Sequence, residues 1–370
     1  MKILHIYKDY FPVLGGIENH VRVLAEAQAS QGHKVTACVC SPGPESSESW
    51  LNGVRLVRAG RLGTAASMPL SWKQPLLLRK EAADILHLHS PYPLGEVSAW
   101  LGRHGIPLVI THHADVIRQK NLMRLYGPVY RRILAHARRL IVTSEAYLRS
   151  SRWLSPHAAK SRTVPLGVDS QFFHPAEKQA PFSGRILFVG RLRYYKGLDN
   201  LLHALVPLPD VRLTIAGDGP MRGKWESLTR QLGISGRVSF LGEIDDATLA
   251  HVYHQADLFV LPANSRAEAF GTVLLEAMAC GLPCLTTEVG TGSSWVVQDG
   301  VTGCVVPPDQ PAVLCAAIQN LFSDPEKLRR MGRAGRARVE QEFTVQRMID
   351  RVMRVYEECA EKKESLTVVS

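Results

Sequence analysis

The sequence has no uninterrupted apolar run that approaches the ~20 residues needed to cross a bilayer. Its opening segment, MKILHIYKD, becomes charged too soon to provide the apolar part of a secretory signal peptide. The seven cysteines are an odd number and do not cluster as metal ligands do. We therefore expect a cytoplasmic protein without disulfides, in which Cys38, Cys40, Cys280 and Cys284 are buried, reduced thiols.

Familiar catalytic constellations are also missing. No Ser-His-Asp or Cys-His arrangement and no metal-ligand cluster is apparent, and no pair of carboxylates is recognisable as the machinery of a retaining hydrolase. The formal net charge is +10, but no motif that interleaves aromatic and basic residues to read nucleic acid accompanies it. Nucleic-acid binding remains an alternative that rests on charge alone.

The positive charge is concentrated in the first half of the chain. Residues 1–172 contain 22 basic and 11 acidic residues, whereas residues 173–370 contain 22 and 23. A polyanionic partner is therefore expected to meet the first half.

Short apolar runs alternate with amphipathic helical patterns along all 370 residues, which is typical of an α/β protein built on parallel sheets. The periodicity weakens and proline and polar residues increase at 167–181, which predicts two domains, 1–172 and 173–345, with a final helix at 346–370 that crosses back to the first. Predicted strands are 2–7, 34–40, 84–89, 108–111, 140–143, 162–165, 185–189, 212–216, 238–241, 257–261, 283–287 and 303–306. Open parallel sheets bind ligands beyond the carboxyl ends of their strands, so two facing sheets predict a site in the cleft between them.

The segment EAFGTVLLEAMACGLP, residues 268–283, is the most informative local pattern. Glu276 falls inside an apolar helix, where a carboxylate is costly unless it is paired or hydrogen-bonded. Glu268 stands just before the helix, whose first N–H groups suit an anion such as a diphosphate. Two structural explanations remain open: Glu268 complements the helix dipole, and Glu276 forms a buried ion pair.

Six motifs in order resemble retaining glycosyltransferase family 4 over nearly the whole chain. They are GGIE at 15–18, THHAD at 111–115, PLGVD at 165–169, GRLRYYKG at 190–197, GDGP at 217–220 and the segment at 268–283. The resemblance implies the GT-B fold, two facing Rossmann-like α/β domains with parallel sheets and an inter-domain cleft. It also implies retention of anomeric configuration, no obligatory metal ion and no cofactor beyond the donor sugar nucleotide.

The resemblance implies a role for each motif residue. Arg191 and Lys196, in the loop opened by Gly190, neutralise the donor diphosphate and the leaving nucleotide. Glu268 binds hydroxyls of the donor hexose and Glu276 those of the ribose. The remaining residues expected at the site are Gly15, Gly16 and His113 in the first domain and Asp218, Arg266, Phe270, Gly271 and Thr272 in the second.

For several of these residues a structural role is an open alternative. A glycine pair such as Gly15-Gly16 is commonly a turn, a structural role is the alternative for Asp218, and simple solvation is the alternative for Arg266. His112 is expected to face away from His113, which itself is assigned to sugar binding or transition-state stabilisation and not to a general base.

Two departures from the family pattern are visible. Ala269 replaces the commoner glycine beside the donor sugar, and Leu166 replaces a polar residue before Gly-Val-Asp. Segments such as RLRYYKGL and TGSSWVVQDG resemble bacterial lipopolysaccharide mannosyl- or rhamnosyltransferases. The predicted function is therefore transfer of mannose or rhamnose from a GDP-sugar to a lipid-linked saccharide in O-antigen synthesis. An epimerase or hydrolase acting on sugar nucleotides is the alternative on the same fold.

Residues 118–139 carry seven basic residues and no acidic one, interleaved with Leu122, Leu125, Tyr126, Val129, Ile133 and Leu134. Such a segment can lie on an anionic membrane surface, which suits an acceptor built on a polyprenyl diphosphate lipid. The alternative is that its apolar residues belong to the core and its cations are solvated. The sequence gives no indication of the oligomeric state.

Overall fold

The computed structural model describes residues 1–13, 15–65, 68–102, 105–116, 120–177 and 181–367, without the side chains of 120–122 and 361–367. The chain forms two compact units. Unit 1 comprises Met1–Pro165 and Val345–Ser370, and unit 2 comprises Leu166–Thr344. The division therefore comes seven residues earlier than residue 172, because Leu166 and Val168 are buried in the core of unit 2.

Unit 1 is built on an eight-stranded sheet in the order β10-β9-β8-β7-β1-β2-β4-β3, in which only β3 runs antiparallel to its neighbour. A separate two-stranded ladder is formed by β5 and β6. The strands are β1 (Lys2–Ile6), β2 (Lys34–Cys40), β3 (Ser47–Leu51), β4 (Val54–Ala59), β5 (Gly63–Ala65), β6 (Met68–Leu70), β7 (Ile85–Ser90), β8 (Leu108–His112), β9 (Arg139–Val142) and β10 (Ser161–Thr163). The helices are α1 (Gly16–Ser30), α2 (Lys73–Lys80), α3 (Pro93–Gly102), α4 (Lys120–His136) and α5 (Glu145–Ser150), with a 3₁₀ helix at Ser155–Lys160.

The strands β3 to β6 were not expected from the sequence. β3 and β4 form a hairpin whose two-residue turn, Asn52-Gly53, has φ of 46° and 80°. Asn-Gly is the preferred pair for this turn because both positions need positive φ. The turn was therefore a sequence signal for the hairpin, although β3 is mostly exposed and lacks an apolar run.

Unit 2 is built on six parallel strands in the order β13-β12-β11-β14-β15-β16. Numbered within the unit, this is 3-2-1-4-5-6, the strand order of dinucleotide-binding folds. The strands are β11 (Arg185–Val189), β12 (Arg212–Ala216), β13 (Val238–Gly242), β14 (Leu258–Leu261), β15 (Cys284–Thr287) and β16 (Gly303–Val306). The helices are α6 (Leu198–Leu205), α7 (Arg222–Gln231), α8 (Asp246–Gln255), α9 (Thr272–Ala279), α10 (Ser293–Val296), α11 (Pro311–Phe322) and α12 (Pro325–Glu342), with 3₁₀ helices at Tyr194–Lys196 and Ser235–Arg237.

The last helix, α13 (Val345–Thr367), packs on unit 1. Its apolar side, which includes Val352 and Tyr356, is buried in the core of that unit. Glu358 holds the helix from its polar side through ion pairs with Arg139 at 2.8 Å and Arg162 at 2.9 Å.

All seven cysteines are free, and Cys38, Cys40, Cys280 and Cys284 are buried. Among the described helices, none combines the length and the apolar character that a membrane crossing requires.

Candidate active site

The strand order of unit 2 reverses between β11 and β14, which are hydrogen-bonded neighbours. Ligands of open parallel sheets bind at such a reversal, beyond the carboxyl ends of the strands. The loop that follows β11 carries Gly190, Arg191 and Lys196, and the loop that follows β14 carries Glu268. The fold therefore brings together residues that are more than 70 positions apart in the sequence.

Lys196 and Glu268 form an ion pair across this reversal. Nζ of Lys196 lies 2.6 Å from Oε2 of Glu268, and the two residues are only 8% and 7% exposed. Burial by itself lowers the pKa of Lys196, but Glu268, with smaller contributions from Tyr195 and Glu276, raises it, and the net pKa is raised. The ammonium group therefore stays charged throughout the physiological pH range.

Glycines make room for this pair. Gly190 has φ of 140°, and a Cβ there would lie 3.3 Å from Nζ of Lys196. Gly217, with φ of 125°, packs its backbone against Gly190, where a side chain would collide with the Gly190 carbonyl oxygen. The loops after β11 and β12 are thus in direct backbone contact beside the ammonium group.

The loop into α9 presents unused hydrogen-bond donors. Within the described parts of the chain, nothing accepts from the N–H groups of Phe270, Gly271 and Thr272. Gly271 has φ of 78°, and the Phe270 side chain is buried in the core, so the side chain anchors a loop whose amides remain available. Ala269 does not have a positive φ, which explains why alanine is tolerated there in place of glycine.

Three other predicted residues of unit 2 differ in the hydrogen bonds and ion pairs that their side chains form within the protein. Arg191 is exposed, and its side chain contacts no partner in the described residues. Asp218 accepts from Arg222 at 2.7 Å and from the N–H of Gly219 at 2.6 Å, a structural role that its sequence left open. Arg266 donates to the carbonyl oxygen of Gly290 at 2.8 Å.

Glu276 lies on α9 and is partly buried. Burial raises its pKa to about 7, although the hydroxyl of Tyr253, which donates to Oε2 at 2.8 Å, acts in the opposite direction. No ion pair of Glu276 is found in the described residues, so the buried-ion-pair explanation is not supported. The carboxyl group changes its charge near neutral pH.

In unit 1, Gly15 and Gly16 begin α1 after β1. Gly15 has an extended φ of −179°, so it is not required by backbone strain. A Cβ there would meet only the carboxylate of Glu18, the mobile end of a side chain that pairs with Lys8 at 3.4 Å. A carboxylate of the chain itself thus lies in the first turn of this helix.

His113 directly follows β8 and is buried. Its Nε2 lies 3.0 Å from Nδ1 of His89, whose Nε2 lies 3.0 Å from Nδ1 of His5. His112 points the other way, toward the hydroxyl of Tyr130 at 2.7 Å and Asp115 at 3.1 Å.

Sequence reasoning missed the other members of this histidine cluster, which are His5, His20, His87 and His89. The signal was present: His87 and His89 alternate on β7, and His5 lies opposite His87 in the register of β1. Burial lowers the pKa of His5 to about 4 and of His20 to about 3, and holds the pKa values of His87, His89 and His113 well below 6.5. The cluster is therefore neutral at physiological pH.

Two triplets of the cluster have ring nitrogens within 4.8 Å of one another: His5 with His87 and His89, and His20 with His89 and His113. Spacing alone is compatible with a metal ion. However, the nitrogens of His5, His89 and His113 are already hydrogen-bonded to each other, and neither triplet includes a carboxylate that would offset the charge of a buried dication. The geometry favours a hydrogen-bonded chain of neutral rings.

Comparisons with known proteins agree with this architecture. Residues 14–172 match Glycosyltransferase Family 4, and residues 171–338 match Glycosyl transferases group 1. The chain is 32% identical to O-antigen chain mannosyltransferase C of Escherichia coli, over 98% of this chain and 100% of that protein. It is 34% identical to D-rhamnosyltransferase WbpZ of Pseudomonas aeruginosa, over 93% and 92% respectively.

Among solved structures, the sucrose-phosphate synthase of Thermosynechococcus elongatus superposes with a TM-score of 0.80 at 26% identity, covering 100% of both chains. These likenesses confirm the GT-B fold and the activity class expected from the sequence. They give no support to an epimerase, a hydrolase or a nucleic-acid-binding protein. The chain is a glycosyltransferase and belongs to family 4, with a group 1 region as its second half.

Proposed function

We propose that this glycosyltransferase moves mannose or rhamnose from a GDP-sugar to a lipid-linked saccharide during cell-surface O-antigen synthesis, with retention of anomeric configuration. The names of the two relatives, a mannosyltransferase and a rhamnosyltransferase, support the choice of sugar. No metal ion and no cofactor beyond the donor takes part. The proposal places the enzyme in the cytoplasm, where sugar nucleotides are made.

The Lys196–Glu268 pair is the observation that carries this proposal. A departing nucleoside diphosphate needs positive charge, and a buried ammonium group aimed at the strand reversal supplies it without a metal ion. Arg191, exposed on the same loop, provides a second cation. The N–H groups of Phe270, Gly271 and Thr272 provide uncharged donors for phosphate or sugar oxygens.

In the proposed reaction, the bond between the anomeric carbon of the donor and the diphosphate oxygen breaks, and its electron pair goes to the diphosphate. The acceptor hydroxyl oxygen bonds to the anomeric carbon from the same face, and its proton goes to the departing diphosphate oxygen. Arg191 and Lys196 stabilise the charge that develops on the diphosphate. No covalent intermediate with the protein is formed.

The two glutamates have different tasks in this proposal. Glu268 keeps Lys196 charged and in position, and its oxygens accept hydrogen bonds from donor-sugar hydroxyls. Glu276 accepts from the ribose hydroxyls when it is ionised. We assign Gly15, Gly16 and His113 to saccharide binding by unit 1, and Asp218 to shaping the loop after β12.

Peripheral contact with an anionic membrane is part of the proposal, but the surface differs from the one expected. Ile133 and Leu134 of α4 are buried in unit 1 together with Met123 and Tyr130, and Tyr126 and Val129 are partly buried, so most of the apolar side of α4 belongs to the protein core. Residues 118 and 119 lie outside the described residues. What remains exposed on α4 is a basic stripe of Arg124, Arg131 and Arg132 around Leu125, which is 82% exposed.

The test of the proposed activity is acceptor-dependent transfer. The purified enzyme is incubated with GDP-mannose or GDP-rhamnose, with and without membrane-extracted lipid-linked saccharide, in the presence of EDTA. We expect a glycosylated lipid only when the acceptor is present. Release of free sugar or an epimerised donor without the acceptor would instead identify a hydrolase or an epimerase.

A further inference from the structure

A continuous row of hydrogen bonds crosses unit 1 from Gln28 on α1 to His113. Oε1 of Gln28 lies 2.8 Å from Nε2 of His5, and two contacts of 3.0 Å then join His5 to His89 and His89 to His113. The three rings lie on or just after β1, β7 and β8, which are adjacent in the sheet. Both nitrogens of His5 and His89 are used, so the row has no branch.

The amide of Gln28 gives this row a direction. Its Nε2 faces Sδ of Met353 at 3.7 Å and the hydroxyl of Tyr356 at 3.4 Å. A thioether sulfur carries no proton and can only accept, so the NH₂ side of the amide must face it. The carbonyl oxygen of Gln28 therefore faces His5 and accepts a hydrogen bond from its Nε2–H.

The direction passes from ring to ring because a neutral imidazole carries a single N–H. Since Nε2 of His5 donates to Gln28, Nδ1 of His5 accepts from Nε2 of His89. Nδ1 of His89 in turn accepts from Nε2 of His113. All three rings are therefore the Nε2–H tautomer, and Nδ1 of His113 is left with an unshared electron pair.

Nδ1 of His113 is the open end of the row, and no described residue donates to it. His20 packs edge-on against His113, with ring centroids 5.0 Å apart, and forms no hydrogen bond with it. An unprotonated ring nitrogen can bind a hydroxyl by accepting a hydrogen bond from it, but it repels another acceptor such as a phosphate oxygen.

We propose that Gln28, His5 and His89 are positioning residues that hold His113 as the Nε2–H tautomer, so that Nδ1 of His113 accepts a hydrogen bond from a hydroxyl of a bound saccharide. The saccharide rests on the proposed function, whereas the tautomer follows from Gln28 and Met353 alone. A reversed amide would give the opposite tautomer on all three rings and would turn Nδ1 of His113 into a donor.

The test is long-range ¹H–¹⁵N correlation spectroscopy of the full-length, ¹⁵N-histidine-labelled enzyme at pH 7.5, which distinguishes Nε2–H from Nδ1–H. Signals are identified by single His→Gln variants. We expect Nε2–H at His5, His89 and His113. An Nδ1–H signal at His113 overturns the proposal. A shift of the His89 signals on adding EDTA also overturns it, because it would show that a bound metal ion takes the place of the ring-to-ring hydrogen bonds.

Variants of Gln28 test whether the row transmits the tautomer. Gln28→Leu removes the acceptor and should leave His113 as a mixture of tautomers, while Gln28→Glu keeps an acceptor and should restore Nε2–H. Gln74→Leu is the matched control, because Gln74 is equally buried in unit 1 but bonds to Tyr92. If Gln28→Leu does not fold, the wild-type spectrum and Gln28→Glu still decide the tautomer.

Adding GDP-mannose and, separately, GDP tests the saccharide. We expect GDP-mannose to shift the Nδ1 resonance of His113 and GDP to leave it in place, and Gln28→Leu to lower turnover about tenfold. The saccharide assignment is overturned if the enzyme transfers mannose and His113 is the Nε2–H tautomer, but GDP-mannose does not shift the Nδ1 resonance of His113. If the enzyme transfers no mannose but His113 is still the Nε2–H tautomer, the result contradicts the proposed function and leaves the assignment of the hydrogen-bonded row standing.

Discussion

Lys196 and Glu268 stand at the ends of two neighbouring strands, with their charged atoms 2.6 Å apart and their side chains almost fully buried. A buried pair of this kind contributes little net stability, because desolvation of both charges offsets their attraction. Removing one partner is costly, however, since the other charge is then buried alone. In the proposed mechanism the pair therefore affects both folding and catalysis, and the two effects have to be separated.

The first prediction separates them with a double variant. Lys196→Met should lower turnover by roughly 10²–10³, the usual effect of losing one transition-state charge contact. It should also lower the free energy of unfolding by about 3–5 kcal/mol, because Glu268 is left unpaired. Adding Glu268→Gln should recover most of the stability without recovering turnover, as measured by urea unfolding and a transfer assay. Recovery of both would show that the pair is structural only.

The second prediction concerns Arg191, which is exposed and contacts no described partner. Arg191→Ala should change the free energy of unfolding by no more than about 0.5 kcal/mol. It should nevertheless lower turnover by roughly 10², because the cation acts on the diphosphate as it leaves. Arg212→Ala is the matched control: Arg212 is also exposed but lies at the amino end of β12. Equal activity of the two variants would remove Arg191 from the site.

The third prediction follows from the pKa of Glu276, which burial raises from 4.5 to about 7. The folded protein holds this proton more tightly than the unfolded chain does, so stability falls as the pH rises from about 4.5 through 7. Glu276→Gln has no such dependence. Thermal unfolding should therefore show that, from pH 5 to pH 8, the free energy of unfolding of the variant rises by about 1–2 kcal/mol relative to that of the wild type. This is less than the full pKa shift implies, because Glu276 is partly solvated.

Nucleotide binding should show the opposite pH dependence at the same residue. The ionised carboxylate accepts ribose hydroxyls better than the acid does, so the affinity of the wild type for GDP should rise from pH 6 to pH 8 and that of Glu276→Gln should not. Tyr253→Phe removes the hydroxyl that favours the ionised form, and should move the transition to higher pH. A wild-type affinity that does not change with pH would contradict the role of Glu276.

The fourth prediction concerns the basic stripe on α4. Anionic membranes attract nearby basic residues by about 1 kcal/mol each, so Arg124→Glu with Arg132→Glu should weaken binding to phosphatidylglycerol vesicles at least tenfold in a flotation assay. The same charge change at Lys224 and Arg230, exposed on α7 of unit 2, should have little effect. Equal loss in both double variants would indicate attraction to net charge and not to this stripe.

Much of the fold was predictable because the central strands are short apolar runs separated by amphipathic helices. The twelve predicted strands correspond to β1, β2 and β7 to β16, with small differences at their ends. The β3–β4 hairpin was missed because its outer strand is mostly exposed and only the Asn52-Gly53 turn marks it. The compact units divide at residue 165, before the predicted boundary at 172, because Leu166 and Val168 lie in an irregular segment that contributes to the core of unit 2.

The sequence proposed the members of the candidate site but could not give the contacts between them. Loops that follow strands placed Lys196 and Glu268 at one edge of the sheet, but a sequence does not reveal that the two side chains form an ion pair. The burial of the apolar side of α4 depends on which face of the helix packs against the sheet, and the spacing of its apolar residues does not determine that face. The histidine row is distributed over three strands that are adjacent only in the folded sheet.

The central claim is that unit 2 binds a GDP-sugar at the Lys196–Glu268 pair without a metal ion. Its most direct test is calorimetric titration, in EDTA, of the wild type and the Lys196→Met, Glu268→Gln double variant with GDP, GDP-mannose, GDP-rhamnose, UDP and UDP-glucose. We predict that the wild type binds the guanosine series preferentially and that the double variant loses at least tenfold in affinity for the sugar nucleotides. Binding that requires a metal ion, that prefers UDP, or that is equal in the two proteins would contradict the account.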